Sequence, residues 1–311
     1  MLPKIIQGVR EQSRLAISKA ISIVENNRSG CEELLSSIYS FSGSAHRIGI
    51  TGPPGAGKSS LTNSLVSFYR NKNKKVAVIA IDPTSPFSGG AVLGDRIRMT
   101  SHSSDSDVFI RSLASRGSKG GLTSSANQIG DVFDSAGYDI IIYETVGVGQ
   151  IELDIIESVD TVVVVLVPES GDEVQMLKAG LMEIGDIFAI NKSDRPGANK
   201  LMITLKNIIS SNIADDKWSP DIFQTVALDN TGVDSLFKRI NDHGKFIIEK
   251  GLLRKKILNR YKKIVSDILK ERYLQTIWNN NNSELLNAEC TKERKSQLSP
   301  YEFANKLIKH E

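Results

Sequence analysis

From residue 46 to residue 226 the chain alternates short apolar, β-branched runs with longer stretches of helical spacing. The apolar runs fall at 46–51, 76–81, 108–110, 140–143, 161–167, 187–191 and 222–226. Each has the length of a strand covered on both faces. Strands of that kind separated by helices predict an α/β fold, a doubly wound and mostly parallel sheet. Ligands on such sheets bind outside the carboxyl ends of the strands.

The flanks are patterned differently. Residues 4–41 carry Ile5, Val9, Leu15, Ile17, Ile21, Val24 and Leu34 at helical spacing, and Asn26–Gly30 breaks them into two helices. Downstream, Leu253, Ile257, Tyr261, Ile264, Ile268, Leu269 and Tyr273 predict a long amphipathic helix over 253–278, basic on its other face. Its apolar face either joins two copies of the chain or packs on its own core. Asn279–Asn282 reads as a polar turn. Ser299-Pro300-Tyr301-Glu302 reads as a helix start, with a Ser cap, Pro at the first position and Glu where a capping box wants it. The expected division is a helical segment over 1–44, a sheet domain over 45–250 and a helical extension over 251–311.

Composition narrows the class. The 311 residues are 40% apolar and 24% charged, the balance of a soluble globular protein. A net charge of +3 is too small to argue for nucleic acid. Two distant cysteines, Cys31 and Cys290, point to a reducing compartment. The longest apolar run, Val162–Val167, is far short of the roughly 18 residues that suggest a membrane span. Met1-Leu2-Pro3-Lys4 opens no secretory segment. The cytoplasm is the expected compartment, with neither nucleic acid nor membrane as partner.

The chemistry begins after the first apolar run. Gly52, Pro53, Pro54, Gly55, Ala56, Gly57, Lys58 and Ser59 spell GxxxxGK[ST], and Ser60 opens the helix behind them. This is a phosphate-binding loop in its strand–helix setting. Glycines let backbone N–H groups point at phosphate oxygens, and the helix N-terminus adds positive charge. Lys58 reaches toward β- and γ-phosphates, and the Ser59 hydroxyl suits Mg²⁺.

That loop does not choose the base. Asn191-Lys192-Ser193-Asp194 does, again after an apolar run. The Asp194 carboxylate can accept from N1–H and the 2-amino group of guanine, donors that adenine lacks. Asn191 either contacts the base or ties loops together, and the Lys192 stem can lie along the ring. Ala227-Leu228, after another run, offers a backbone N–H to the base.

Acidic residues end two more runs. Glu144-Thr145-Val146-Gly147 places a carboxylate for Mg²⁺ and a Gly147 N–H for the γ-phosphate. Asp82 ends the run 76–81, and Asp95 lies in a glycine-rich connection. Each is either an acid acting on Mg²⁺ or on the attacking water, or a solvated loop carboxylate. Gln150 reads equally as a water-positioning residue or an ordinary loop glutamine. Lys58, Asp82, Asp95 and Glu144 form the expected catalytic set, with Ser59 added for the metal.

The chain resembles the MeaB/ArgK family of GTPases. The matching stretches include GITGPPGAGKSSL (49–61), AIDPTSPFSGGAVLGDRIRM (80–99), YETVGVGQIE (143–152) and PESGDEVQMLKAGLMEIGDIFAINKSD (168–194). The resemblance implies a GTPase core of the SIMIBI class, Mg²⁺-dependent hydrolysis of GTP to GDP, and a homodimer. It implies an adenosylcobalamin-dependent acyl-CoA mutase as partner, chiefly methylmalonyl-CoA mutase. It also marks 168–178, with Asp172 and Lys178, as a partner-sensing switch. The N-terminal segment and the tail after about 275 match the family only loosely. Other readings are a nickel-inserting GTPase, a small-molecule kinase and a scaffold with structural GTP. The isolated cysteines and unclustered histidines argue against the first, and the guanine motif argues against the second.

Overall fold

The computed structural model describes residues 1–83, 102, 104–115, 121–145, 158–168, 181–210, 218–278, 280–292 and 294–308. Seven strands lie in one sheet: β1 (His46–Thr51), β2 (Val76–Pro83), β3 (Val108–Ser115), β4 (Ile140–Glu144), β5 (Thr161–Leu166), β6 (Ile187–Asn191) and β7 (Asp221–Thr225). Their order is β3-β2-β4-β1-β5-β6-β7, and every neighbouring pair is parallel. The helices are α1 (Leu2–Arg10), α2 (Arg14–Glu25), α3 (Cys31–Ile38), α4 (Lys58–Arg70), α5 (Gly121–Ser135), α6 (Leu181–Ile184), α7 (Ala198–Ser210), α8 (Val233–Glu249), α9 (Leu252–Ile277), α10 (Asn280–Cys290) and α11 (Pro300–Ile308).

Each apolar run is a strand, as read. β3 runs further than expected. Arg111 and Ser112 interrupt its apolar pattern yet pair with Ile79 and Ala80 of β2, and the Arg111 guanidinium meets the Glu25 carboxylate. Strand parity then sorts the core into two layers. Ile48, Ile50, Val78, Ile142 and Val163 face Leu61 and Leu65 of α4 and Leu236 and Ile240 of α8. Ile79, Ile141, Tyr143, Val164 and Phe188 face Phe133 of α5, Ile17 of α2 and Leu34 of α3. β1 sits between β4 and β5, where the chain changes direction, and such a switch point opens a crevice at the carboxyl ends.

The amino-terminal segment holds three helices before its short 3-10 turn, where spacing predicted two. The extra break is a left-handed cap. Gln12 has φ 61°, its N–H bonds Val9 O, and Ser13 N–H bonds Gly8 O. Glycine usually takes that position, so a glutamine there hides the stop. Asn27, at φ 42°, ends α2 the same way within the expected break.

At the amino edge of the sheet, polar side chains close on one another. His46 Nε2 lies 2.7 Å from Thr161 Oγ1, which lies 2.8 Å from His243 Nδ1. His243 Nε2 lies 3.4 Å from Asp186 Oδ1, and Lys256 Nζ lies 4.0 Å from Asp186 Oδ2. One proton order satisfies both contacts: with the His243 proton on Nε2, Nδ1 accepts from Thr161 and Thr161 accepts from His46. Burial, with Lys256 nearby, pushes the His243 pKa down to about 3. Burial also lowers that of His46 and raises that of Asp186.

The chain divides into two compact units, Met1–Ile257 and Leu258–Glu311. The second has its own small core of Ile277, Phe303 and Leu307. The expected capping box is present there: Glu302 N–H donates to Ser299 Oγ, and Ser299 N–H to Glu302 Oε2. The run 279–282 is not a turn throughout, because α10 starts at Asn280. Buried Asn282 donates to Ile277 O at 2.7 Å, which satisfies an amide and a helix-end carbonyl together. Along α9, Tyr261, Leu269, Tyr273 and Leu274 are roughly half exposed.

Candidate nucleotide site

The loops after β1, β6 and β7 meet the end of β4 at the carboxyl edge. The phosphate loop leaves β1 through Gly52, whose φ is 140°. A Cβ there would stand 2.0 Å from Val165 O of β5, so only glycine fits. Gly57, at φ 86°, is the N-cap of α4, and a Cβ on it would meet Asn191 Nδ2 at 2.3 Å. The missing side chain is what lets the base loop lie against the phosphate loop.

Lys58 Nζ curls back over the loop and donates to Gly52 O at 2.7 Å and Pro53 O at 2.9 Å. Ser60 follows in the first turn of α4, while Pro54 and Gly55 are exposed at the loop's tip. Ser59 Oγ hydrogen-bonds Glu144 Oε1, and both residues are buried. Parity explains the meeting: Glu144 shares its strand face with Ile140 and Ile142, the face that α4 covers. A hydroxyl and a carboxylate in contact are hard oxygen donors, the kind Mg²⁺ takes.

The opposite face holds a second contact. Thr145 N–H donates to Ile50 O at 3.0 Å, and Thr145 Oγ1 lies 3.1 Å from Thr51 Oγ1. No motif marks these two threonines. The available signal was position alone, since one precedes the phosphate loop and the other follows Glu144.

Asn191 ties loops in this structure. Its Nδ2 donates to Ala56 O at 2.9 Å, and its Oδ1 accepts from Ala227 N–H at 3.1 Å and Thr225 Oγ1 at 3.3 Å. The Ala227 N–H expected to meet the base is therefore already engaged. Ser64 Oγ of α4 holds Ala227 O at 2.9 Å. Leu228, next along, is 89% exposed. Lys192 has φ 55°, and its Nζ donates to Gly55 O at 2.8 Å, so its stem spans from the base loop to the phosphate loop. Asp194 is exposed beside it.

Asp82 lies on the backbone of β2, two residues past Ala80, which pairs with Glu144. Its side chain, and all of Asp95, Gly147, Gln150, Asp172 and Lys178, lie outside the described residues. Among the described residues no helix is long and apolar enough to cross a membrane.

A family model described as methylmalonyl Co-A mutase-associated GTPase MeaB matches residues 17–282. The GTPase ArgK of Escherichia coli (strain K12) is 33% identical over 81% of this chain and 79% of its own. The mitochondrial methylmalonic aciduria type A homolog of Caenorhabditis elegans is 32% identical over 87% of this chain and 73% of its own. Among solved structures, an LAO/AO transport system kinase matches with a TM-score of 0.73 at 25% identity, over 99% of this chain and 97% of that one.

Proposed function

The chain belongs to the MeaB family of GTPases, and from that premise we propose that it is a cytoplasmic, Mg²⁺-dependent GTPase switch serving an adenosylcobalamin-dependent acyl-CoA mutase. Methylmalonyl-CoA mutase is the favoured client. The names of the family and of the nematode relative support that choice. GTP hydrolysis itself is the family's activity. The proposal adds the residue roles, the metal, the partner and a homodimer.

One observation carries the residue roles. Asn191 bonds Ala56 O and Ala227 N–H together, so base loop and phosphate loop are one assembly. In this reading Asp194 accepts from guanine, the Lys192 stem lies along the ring, and Leu228 supplies the backbone N–H. Gly52 to Ser60 wrap the phosphates, and Lys58 exchanges its loop carbonyls for β- and γ-oxygens. Ser59 and Glu144 would hold the Mg²⁺, which would supply neutralisation of phosphate charge. Asp82 and Asp95 complete the acidic set, with Gln150 on the attacking water and Gly147 on the γ-phosphate. Phosphoryl transfer to water asks mostly for such positioning and charge neutralisation. Residues 168–178, with Asp172 and Lys178, carry the nucleotide state to the mutase, and 251–311 forms the dimer arm.

The test is GTP hydrolysis by the purified protein, alone and with the mutase, with Lys58→Ala as the blank. A slow rate that rises with the mutase and vanishes in the variant supports the reading. A Lys58-dependent rate indifferent to the mutase removes the client. A preference for ATP with a small-molecule acceptor would instead favour a kinase, the name of the structural neighbour.

A further inference from the structure

The sheet is lined on both faces with Val, Ile and Leu, and its few buried threonines stand out. Thr225 donates to Asn191 and so fixes the base loop. Thr51 and Thr145 hold a corresponding place on the phosphate side. They are 1% and 4% exposed and make a hydroxyl–hydroxyl contact of 3.1 Å. Thr51 is the last residue of β1 before Gly52. Thr145 directly follows Glu144, the last residue of β4.

The register of β1 and β4 closes at Ile50 and Glu144. One more backbone bond, Thr145 N–H to Ile50 O, extends it. Glu144 is gripped from the α4 face by Ser59. Its own peptide is fixed from the opposite face by Thr145 on Thr51. A valine would fill the same β-branched space at either site, so packing alone does not call for a hydroxyl pair.

We propose that the Thr51–Thr145 hydroxyl pair is a positioning clasp that sets Glu144 against Ser59 and thereby couples Mg²⁺ to nucleotide retention. The proposal rests on the assignment of Ser59 and Glu144 to the metal. Neither threonine needs to touch ligand. They act through the carboxylate whose strand end they hold.

The test measures release of a fluorescent GDP analogue across a Mg²⁺ titration, with melting temperatures alongside. In Thr145→Val the Mg²⁺ concentration that half-maximally slows release should rise about five- to tenfold, the factor one hydrogen bond is worth. Release without Mg²⁺ should be unchanged. Thr145→Ser keeps the hydroxyl and should behave as the parent. The double variant Thr51→Val with Thr145→Val separates positioning from stability. It leaves no hydroxyl unpaired, so its melting temperature should recover toward the parent's, while the Mg²⁺ shift persists. An unshifted titration in Thr145→Val overturns the clasp. So does a shift that disappears in the double variant together with the stability defect. A parent protein whose GDP release ignores Mg²⁺ overturns the metal assignment and the clasp with it.

Discussion

The two edges of one sheet use similar polar residues for opposite ends. At the amino edge, His46, Thr161, His243, Asp186 and Lys256 satisfy one another in a directed chain. Asp160 accepts Arg47 N–H and gives its carbonyl to Lys256, and Trp218 Nε1–H reaches Asp186 O. At the carboxyl edge, Lys58 and Lys192 bond to phosphate-loop carbonyls. Burial and polarity do not separate these edges, since Lys58 is as buried as many core residues. What separates them is the partner. At the amino edge His46, Thr161, His243 and Asp186 are closed among side chains, whereas Lys58 and Lys192 rest on carbonyls of the phosphate loop itself.

Substitutions should respect that division. Lys58→Ala should lower GTP turnover about a hundred- to a thousandfold, as loss of a charge-stabilising donor does, with melting nearly unchanged. Steady-state kinetics and a thermal melt check both halves. Asp194→Ala should reduce the preference for GTP over ATP by about a hundredfold, because the proposed pair of charge-assisted bonds to guanine would be lost. Competition binding with the two nucleotides reads it directly. Thr161→Val should do the reverse. It breaks the relay at its middle and costs about 2 kcal/mol of stability, while GDP affinity holds. An equal loss of GDP affinity would erase the distinction between the edges.

A further expected effect is that of pH. His46 and His243 are held neutral in the folded protein, His243 down to about pH 3. In the unfolded chain each takes a proton near pH 6.5. The unfolded state therefore binds more protons below that pH, and stability falls as pH falls from about 6.5 toward 3. The slope is at most about 1.4 kcal/mol per pH unit for each histidine. Melts between pH 7 and 5 should show it, and replacing His243 should reduce it. A melting temperature flat over that interval would contradict neutral histidines.

The sequence made the strands legible because a two-faced sheet requires unbroken apolar runs. It obscured β3, where Arg111 is tolerated by meeting Glu25, and the stop after α1, where Gln12 takes a conformation usually left to glycine. Motif residues were legible because each motif fixes both residue type and spacing. Three features were not. The Ala227 N–H is consumed by Asn191, a fact about loop packing. Thr51 and Thr145 are 94 residues apart and belong to no spacing rule. The relay draws on residues 46, 161, 186, 243 and 256, which only the strand order brings to one edge.

Asn191 has a consequence for ligands smaller than GTP. Because one side chain holds Ala56 and Ala227 at once, ordering the base loop also orders the phosphate loop. Guanosine and pyrophosphate, offered as separate molecules, would each leave the other's half already organised. Linkage makes that help mutual: the factor by which guanosine tightens pyrophosphate is the factor by which pyrophosphate tightens guanosine. GTP would draw on the same coupling within a single molecule, its two halves recognised as one event.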